Sequence, residues 1–185
     1  MKQTKNEKWI FIVNPIAGNR FGSTMVDLIK SKVIEFGIPG EVQTTTGPGH
    51  ATQLSAQALK DGYTHIIAVG GDGTFNEVAR PLVGNTDITT GIIPAGTGND
   101  YSQIPGFRSR FTDDDWEIFF KANTIKQDVG IVNEAIFLNG LGIGFDAEVA
   151  AQNYTEGGKV RKGGADKYIW HIVKTLLFFR EKLML

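Results

Sequence analysis

The chain has 185 residues, 41% hydrophobic and 21% charged, the make-up of a soluble globular protein with room for one domain and the start of another. A formal net charge of −1 leaves no basic field for nucleic acid, and the absence of cysteine excludes disulfides and thiolate metal sites, so a reducing cytoplasm is the expected setting. The lysine-rich start leads only into the short apolar run Trp9 to Val13, too short for a signal-peptide core or a membrane span, and no later run reaches spanning length.

Trp9 to Val13 predicts a buried strand, closed by the turn Asn14-Pro15-Ile16-Ala17-Gly18. Met25, Leu28, Ile29, Val33 and Phe36 share one helical face, and Gly37 stops that helix. Glu41 to Thr46 predicts a second strand, broken by Gly47-Pro48-Gly49 before a helix marked by Ala51, Leu54 and Ala58. Thr64 to Val69 predicts a third strand running into Gly70, with Phe75, Val78, Ala79, Leu82 and Val83 as the stripe of the next helix. Ile88 to Ile93 predicts a fourth, ended by Pro94 and Ala95-Gly96-Thr97-Gly98. Thr112 with Asp115 forms a capping-box pattern for a helix through about Lys121.

This alternation predicts a three-layer α/β domain on a largely parallel sheet, with ligands bound beyond the carboxyl ends of the strands, where every glycine-rich turn falls. The rhythm then changes. Gln127 to Val132 and Ala135 to Leu141 read as strands of a hairpin joined by Asn133-Glu134. Residues 153–165 read as a polar, glycine-rich loop, and Tyr168, Ile169, Ile172, Val173, Leu176 and Leu177 as an amphipathic helix. The expected division is 1–124 as an α/β nucleotide-binding domain and 125–185 as the start of an antiparallel β domain.

The chemistry concentrates at Gly70-Gly71-Asp72-Gly73-Thr74. Glycines let backbone N–H groups approach a ligand, and the following helix adds partial positive charge, which together suit a phosphate. Asp72 would repel a phosphate. Its carboxylate makes sense as a magnesium ligand or as acceptor of a hydroxyl proton; the bland alternative is a helix cap. Gly96-Thr97-Gly98-Asn99-Asp100 repeats the combination at another strand end, and Asn14 to Gly18 adds a side-chain amide after the first. No Walker-type Gly-Lys-Ser/Thr occurs, so backbone N–H groups and Mg²⁺ would stand in for a phosphate-binding lysine.

Residues 70–78, Gly-Gly-Asp-Gly-Thr-Phe-Asn-Glu-Val, and 94–100, Pro-Ala-Gly-Thr-Gly-Asn-Asp, resemble the two signature segments of the diacylglycerol kinase catalytic family, which includes sphingosine, ceramide and bacterial lipid kinases. Asn14 to Gly18, Thr45 to Ala51, Gln127 to Gly130 and Asn139 to Asp146 resemble further family segments in the same order. The shorter Gly-Gly-Asp-Gly core is shared with nicotinamide-dinucleotide kinases and phosphofructokinases on a related fold. The resemblance implies an ATP- and Mg²⁺-dependent lipid kinase, cytoplasmic and peripheral to the membrane, with a lipid alcohol as substrate and transient contact with the membrane surface. It implies that Asn14, Pro15, Gly18, Thr45, Gly71, Asp72, Gly73, Thr74, Phe75, Asn76, Glu77 and Thr97 line the ATP site. Asp72 would be central to phosphoryl transfer and bind the metal, with Asp100 and Asp128 in a supporting catalytic network. Structural readings stand beside these: Asp128 as a paired strand carboxylate, His50 as a helix-start residue, Glu77 as a contact to its own helix turn, and Asp146 as a strand end.

The chain departs from the family pattern at Ala17, where a small hydroxyl residue is usual, and after Tyr101, where Ser102-Gln103 replace the usual Ala-Arg. Relatives continue into a β-sandwich that carries a glutamate base and a structural magnesium site, so Leu185 is expected to fall inside a domain. The alternatives are a nicotinamide-dinucleotide-kinase-like phosphotransferase, from which residues 96–100 discriminate, and a catalytically incomplete nucleotide-binding fragment. The apolar stripe of the last helix is expected to face a core; exposed, it would favour a homodimer.

Overall fold

In the computed structural model, residues 7–152, 170 and 172–175 are described. By contact density the chain divides into two units, Met1–Asn139 and Gly140–Leu185.

The first unit is built on four strands, β1 (Trp9–Val13), β2 (Gly40–Thr44), β3 (His65–Gly70) and β4 (Thr89–Pro94), in the order β2-β1-β3-β4. All three pairings are parallel, with Trp9 opposite Gly40 and His65, and His65 opposite Thr89. Parallel strands need covering on both faces, which explains why β1 and β3 are buried throughout and apolar apart from His65 and Gly70. Side-chain alternation divides them. Trp9, Phe11, Val13, Ile67 and Val69 face a core with α1 (Ala17–Glu35) and α4 (Asp113–Phe120). Ile10, Ile12, Ile66 and Ala68 face the other, with α2 (His50–Lys60) and α3 (Asp72–Ala79). The architecture is therefore three layers around a parallel sheet, as the alternation predicted.

Several boundaries differ from the sequence reading. The second strand runs from Gly40 to Thr44, ahead of the bend that begins at Gly47, and the third extends through Gly70. Leu28 is exposed, because the face of α1 that meets the sheet runs through Gly22, Met25, Ile29 and Val33. α3 tightens into a 3-10 turn at Arg80–Leu82, where Pro81 removes an N–H donor. The capping pattern holds: the Asp115 carboxylate accepts from the Thr112 N–H at 2.7 Å and its hydroxyl at 2.8 Å. Aromatic residues of α4 then reach the strands, with Phe120 against Trp9 and Phe11.

The predicted hairpin is present but shorter. β5 (Gly130–Val132) pairs antiparallel with β6 (Ala135–Phe137). Asn133 and Glu134 both hold positive φ, 46° and 66°, as a tight two-residue turn requires.

In the second unit, Phe145–Ala151 forms helix α5, so Asp146 lies in a helix and does not end a strand. Residues 172–175 are helical, in agreement with part of the predicted last helix; Tyr168, Ile169, Leu176, Leu177 and the loop 153–165 lie outside the described residues.

Candidate functional site

Strand order fixes where a ligand can bind. The chain leaves β1 toward β2 on one side and leaves β3 toward β4 on the other, so the sheet has a switch point between β1 and β3, and a crevice opens at their carboxyl ends. The turn after β1 and the turn after β3 meet there. Asn14 donates its backbone N–H to Val69 O at 2.9 Å and its side-chain Nδ2 to Thr74 Oγ1 at 3.0 Å. Its Oδ1 accepts from the Ile16 N–H at 3.2 Å, so one amide holds both turns. Thr45 is buried at the neighbouring strand end, its N–H bonded to Val13 O at 2.8 Å. His50 opens α2 and accepts the Thr46 N–H at 3.0 Å, which is the structural reading of that residue.

The third turn, after β4, packs directly on the second. A Cβ built on Gly96 would lie 2.4 Å from the Cα of Gly71, and one on Gly71 would lie 3.1 Å from the Cα of Gly96. Glycine at position 96 is what lets these backbones approach so closely, and a side chain at position 71 would be tight. Gly18 abuts the same region: its φ is +55°, and an added Cβ would meet Ala95 O at 2.3 Å. Asn19 and Arg20 continue this left-handed stretch at φ 56° and 72°, a strained start to α1 in residues that carry side chains. Gly73 differs from all of these. Its φ is not in the left-handed region, and no atom lies within 4 Å of an added Cβ.

Asp72 joins two of the turns. It is the first residue of α3, behind the cap residue Gly71, and makes no cap bond. Its Oδ1 accepts the Tyr101 N–H at 2.8 Å and its Oδ2 accepts the Asp100 N–H at 3.2 Å. In place of a helix cap, the Asp72 carboxylate ties the turn after β3 to the turn after β4. Beside Gly98 two carboxylates converge: the Cβ position of Gly98 lies 3.4 Å from Asp72 Oδ2 and 3.8 Å from Asp100 Oδ2. Among the described residues no three His, Cys, Asp or Glu side chains gather as a metal cluster. A two-carboxylate site nonetheless fits Mg²⁺, which keeps several waters and takes its remaining ligands from substrate phosphates.

The remaining predicted residues are distributed around this centre. Thr74 is buried against Asn14. Phe75 directs its ring into the core, 4.1 Å from that of Tyr101, and donates its N–H to Gly71 O. Asn76 accepts from Arg80 at 3.1 Å, and the Glu77 carbonyl accepts the Thr52 hydroxyl at 2.9 Å. Pro15 occupies the first turn, and Thr97 is exposed on the third. Asp128 is exposed in the segment before β5, without a bond to Asp72 or Asp100; its neighbour Gln127 accepts the Tyr101 hydroxyl at 2.6 Å. Burial raises the pKa of that Tyr101 hydroxyl, which keeps it a donor.

Three residues of the site were given no role in the sequence reading, although Asn99 and Tyr101 fall in or beside its second signature segment. Asn99, buried and in the left-handed region at φ 59°, staples the third turn: its Oδ1 accepts the Gly96 N–H at 2.8 Å and its Nδ2 donates to Gly96 O at 3.0 Å. Tyr101 links Asp72, Phe75 and Gln127. Arg110 lines a cavity of about 280 Å³ together with Gly18, Asn19, Gly96, Thr97, Asn99 and Ser109. Only Asn99 left a signal, since Asn is the side-chain-bearing residue that best tolerates the left-handed region.

Glycine turns, a helix start and two carboxylates thus gather at the carboxyl ends of a parallel sheet, where α/β proteins bind their ligands. The sequence model of the diacylglycerol kinase catalytic domain matches residues 8–132, and the chain belongs to that family. It is 30% identical to a diacylglycerol kinase of Staphylococcus carnosus over 132 residues, covering 69% of this chain and 42% of that one. It is 31% identical to a diacylglycerol kinase of Bacillus subtilis over 135 residues, covering 69% and 43%. A crystal structure of a diacylglycerol kinase from Bacillus anthracis superposes with a TM-score of 0.67 at 31% identity, covering 84% of this chain and 53% of that one. The chain spans about half the length of the curated relatives it matches.

Proposed function

We propose that this chain carries the nucleotide-binding part of an ATP-dependent lipid kinase, which passes the γ-phosphoryl group of ATP to the hydroxyl of diacylglycerol or a related lipid alcohol. The observation that carries this reading is the Asp72 tie: one carboxylate binds the turn after β3 to the turn after β4 and converges with Asp100 beside Gly98. Residues 1–124 would hold ATP, and 125–185 would begin the part that meets the lipid at a membrane surface. No helix among the described residues is long and apolar enough to cross a membrane.

In this reading the turn at Gly71–Thr74 and the start of α3 hold phosphate oxygens through backbone N–H groups and the helix field. Asp72 and Asp100 would hold Mg²⁺, which when bound would neutralise phosphate charge. Tyr101 and Asp100 donate backbone N–H groups that keep the Asp72 carboxylate oriented. Most of the catalysis would come from positioning and charge stabilisation, since phosphoryl transfer demands little covalent chemistry of the protein.

The test is transfer of labelled phosphate from ATP to diacylglycerol in mixed micelles, with ceramide and sphingosine as competing acceptors. Asp72→Ala is expected to lower turnover by at least about 100-fold. Unchanged turnover would remove Asp72 from the mechanism. Labelling of a nicotinamide dinucleotide in place of any lipid would move the protein to the other kinase class.

A further inference from the structure

We propose that the cavity between the turn after β1 and the turn after β4 is an anion subsite built on Arg110, and that it receives phosphate oxygens of the nucleotide. This rests on the ATP reading above and adds to it a cationic residue outside every glycine-rich segment.

Arg110 is held from two sides. Its Nη1 donates to Gly96 O at 3.2 Å and Ser109 O at 3.0 Å, and its guanidinium lies 4.0 Å from the centroid of the Phe21 ring. These contacts fix the plane of the guanidinium without neutralising it: among the described residues no carboxylate forms an ion pair with Arg110. One nitrogen is committed, and the other donors of the fork remain for a ligand. An arginine held by carbonyls and a ring is preorganised, so it loses little freedom when an oxyanion arrives.

The rest of the cavity agrees. Its other lining residues are Gly18, Asn19, Gly96, Thr97, Asn99 and Ser109, with no acidic residue among them. A phosphate group fits within its volume of about 280 Å³. The turn after β4 thus has two electrical faces. Asp72 and Asp100 converge at Gly98, while Arg110 stands at Gly96 and Thr97. A phosphate chain that reaches the Arg110 face would leave the carboxylates free for a cation on the other.

Calorimetric titration of the 185-residue chain with ADP over a range of salt concentrations tests this. Arg110→Gln is expected to weaken ADP binding at least about tenfold and to flatten its salt dependence, because a charge contact to phosphate is lost. Arg110→Lys should restore much of the salt slope, since it keeps the charge and loses the carbonyl bonds. If Arg110→Gln binds ADP as tightly as the parent, the subsite is wrong and the nucleotide reading stands. Weaker binding with an unchanged salt slope would make Arg110 a loop brace only and would also overturn the subsite. No ADP binding by the parent would remove both. Vesicles containing phosphatidic acid separate the other source of phosphate: an Arg110→Gln chain that loses vesicle binding but retains ADP would assign the arginine to a lipid headgroup and refute the proposal.

Discussion

At the scale of single residues, the glycines of the site divide by what would happen to an added methyl. Gly96 is required by the fold, because an added Cβ would meet the Cα of Gly71 at 2.4 Å, while one on Gly71 would sit tightly at 3.1 Å from that of Gly96. Gly96→Ala is expected to cost about 1–3 kcal/mol, since the two turns must move apart. Gly73 has no such duty: its φ is ordinary, and an added Cβ would meet nothing within 4 Å. Alanine there should raise stability by up to about 1 kcal/mol through helix propensity. If the open space above Gly73 is where a phosphate approaches, the same Gly73→Ala change should weaken ATP binding. Thermal unfolding and ATP titration on one sample separate the two effects, and a stabilised variant with full ATP affinity would remove Gly73 from the site. His65 gives a pH-dependent counterpart in the core. It stacks on Trp9 at 4.0 Å, and burial lowers its pKa from 6.5. As pH falls through 6.5 the unfolded chain takes up a proton that folded His65 resists, so its contribution to stability is present above 6.5 and is lost as pH falls toward the folded value. Denaturant unfolding from about pH 7 down to about pH 5 should show falling stability. His65→Phe, which keeps the stack, should make that fall shallower; an unaltered slope would place the proton elsewhere.

At the scale of elements, the turn bearing Asp72 is only as well placed as the eight-residue helix behind it. A helix so short gains little from its own propensity and depends on packing. α2 supplies part of that support. The buried Ser55 hydroxyl donates to Val78 O at 2.7 Å, and Thr52 donates to Glu77 O at 2.9 Å. These bonds satisfy carbonyls near the carboxyl end of α3, where a helix leaves acceptors without intrahelical donors. Ser55→Ala removes one of them inside the core and should destabilise the protein by about 1–2 kcal/mol. Ser23 also bonds a backbone carbonyl, that of Arg20, but on the surface, where water replaces the lost donor. Ser23→Ala should therefore change stability by less than about 0.5 kcal/mol. Urea midpoints of the two variants measure the difference, and equal shifts would show that burial of the Ser55 bond carries no weight.

At the scale of the whole molecule, the sequence was most legible where burial is complete. β1 and β3 are apolar at nearly every position because helices cover both faces, and such runs are recognisable without tertiary information. The hairpin turn at Asn133-Glu134 and the Thr112–Asp115 cap were legible because their chemistry is local. Strand order was not, since nothing local says that β3 lies beside β1 on the side away from β2. The site was legible where a glycine turn followed a strand. Arg110 was not, because it lies in an irregular stretch with no periodicity and reaches the cavity only after the chain folds back to Phe21 and Gly96. The same contrast between covered and uncovered structure should govern dynamics. β1 lies between two neighbours with all five residues buried, whereas among the described residues β5 and β6 pair only with each other over three residues each and carry Ile131 at 67% exposure. A two-stranded ribbon of that size is marginal alone. Native-state hydrogen exchange should therefore release the β5–β6 amides through local opening, while the central amides of β1 and β3 exchange only on near-global unfolding. The exchange free energy of the hairpin should be insensitive to Ser55→Ala, while that of β1 and β3 should fall by the full amount of the destabilisation. A matching fall in the hairpin would mean that it opens only together with the sheet.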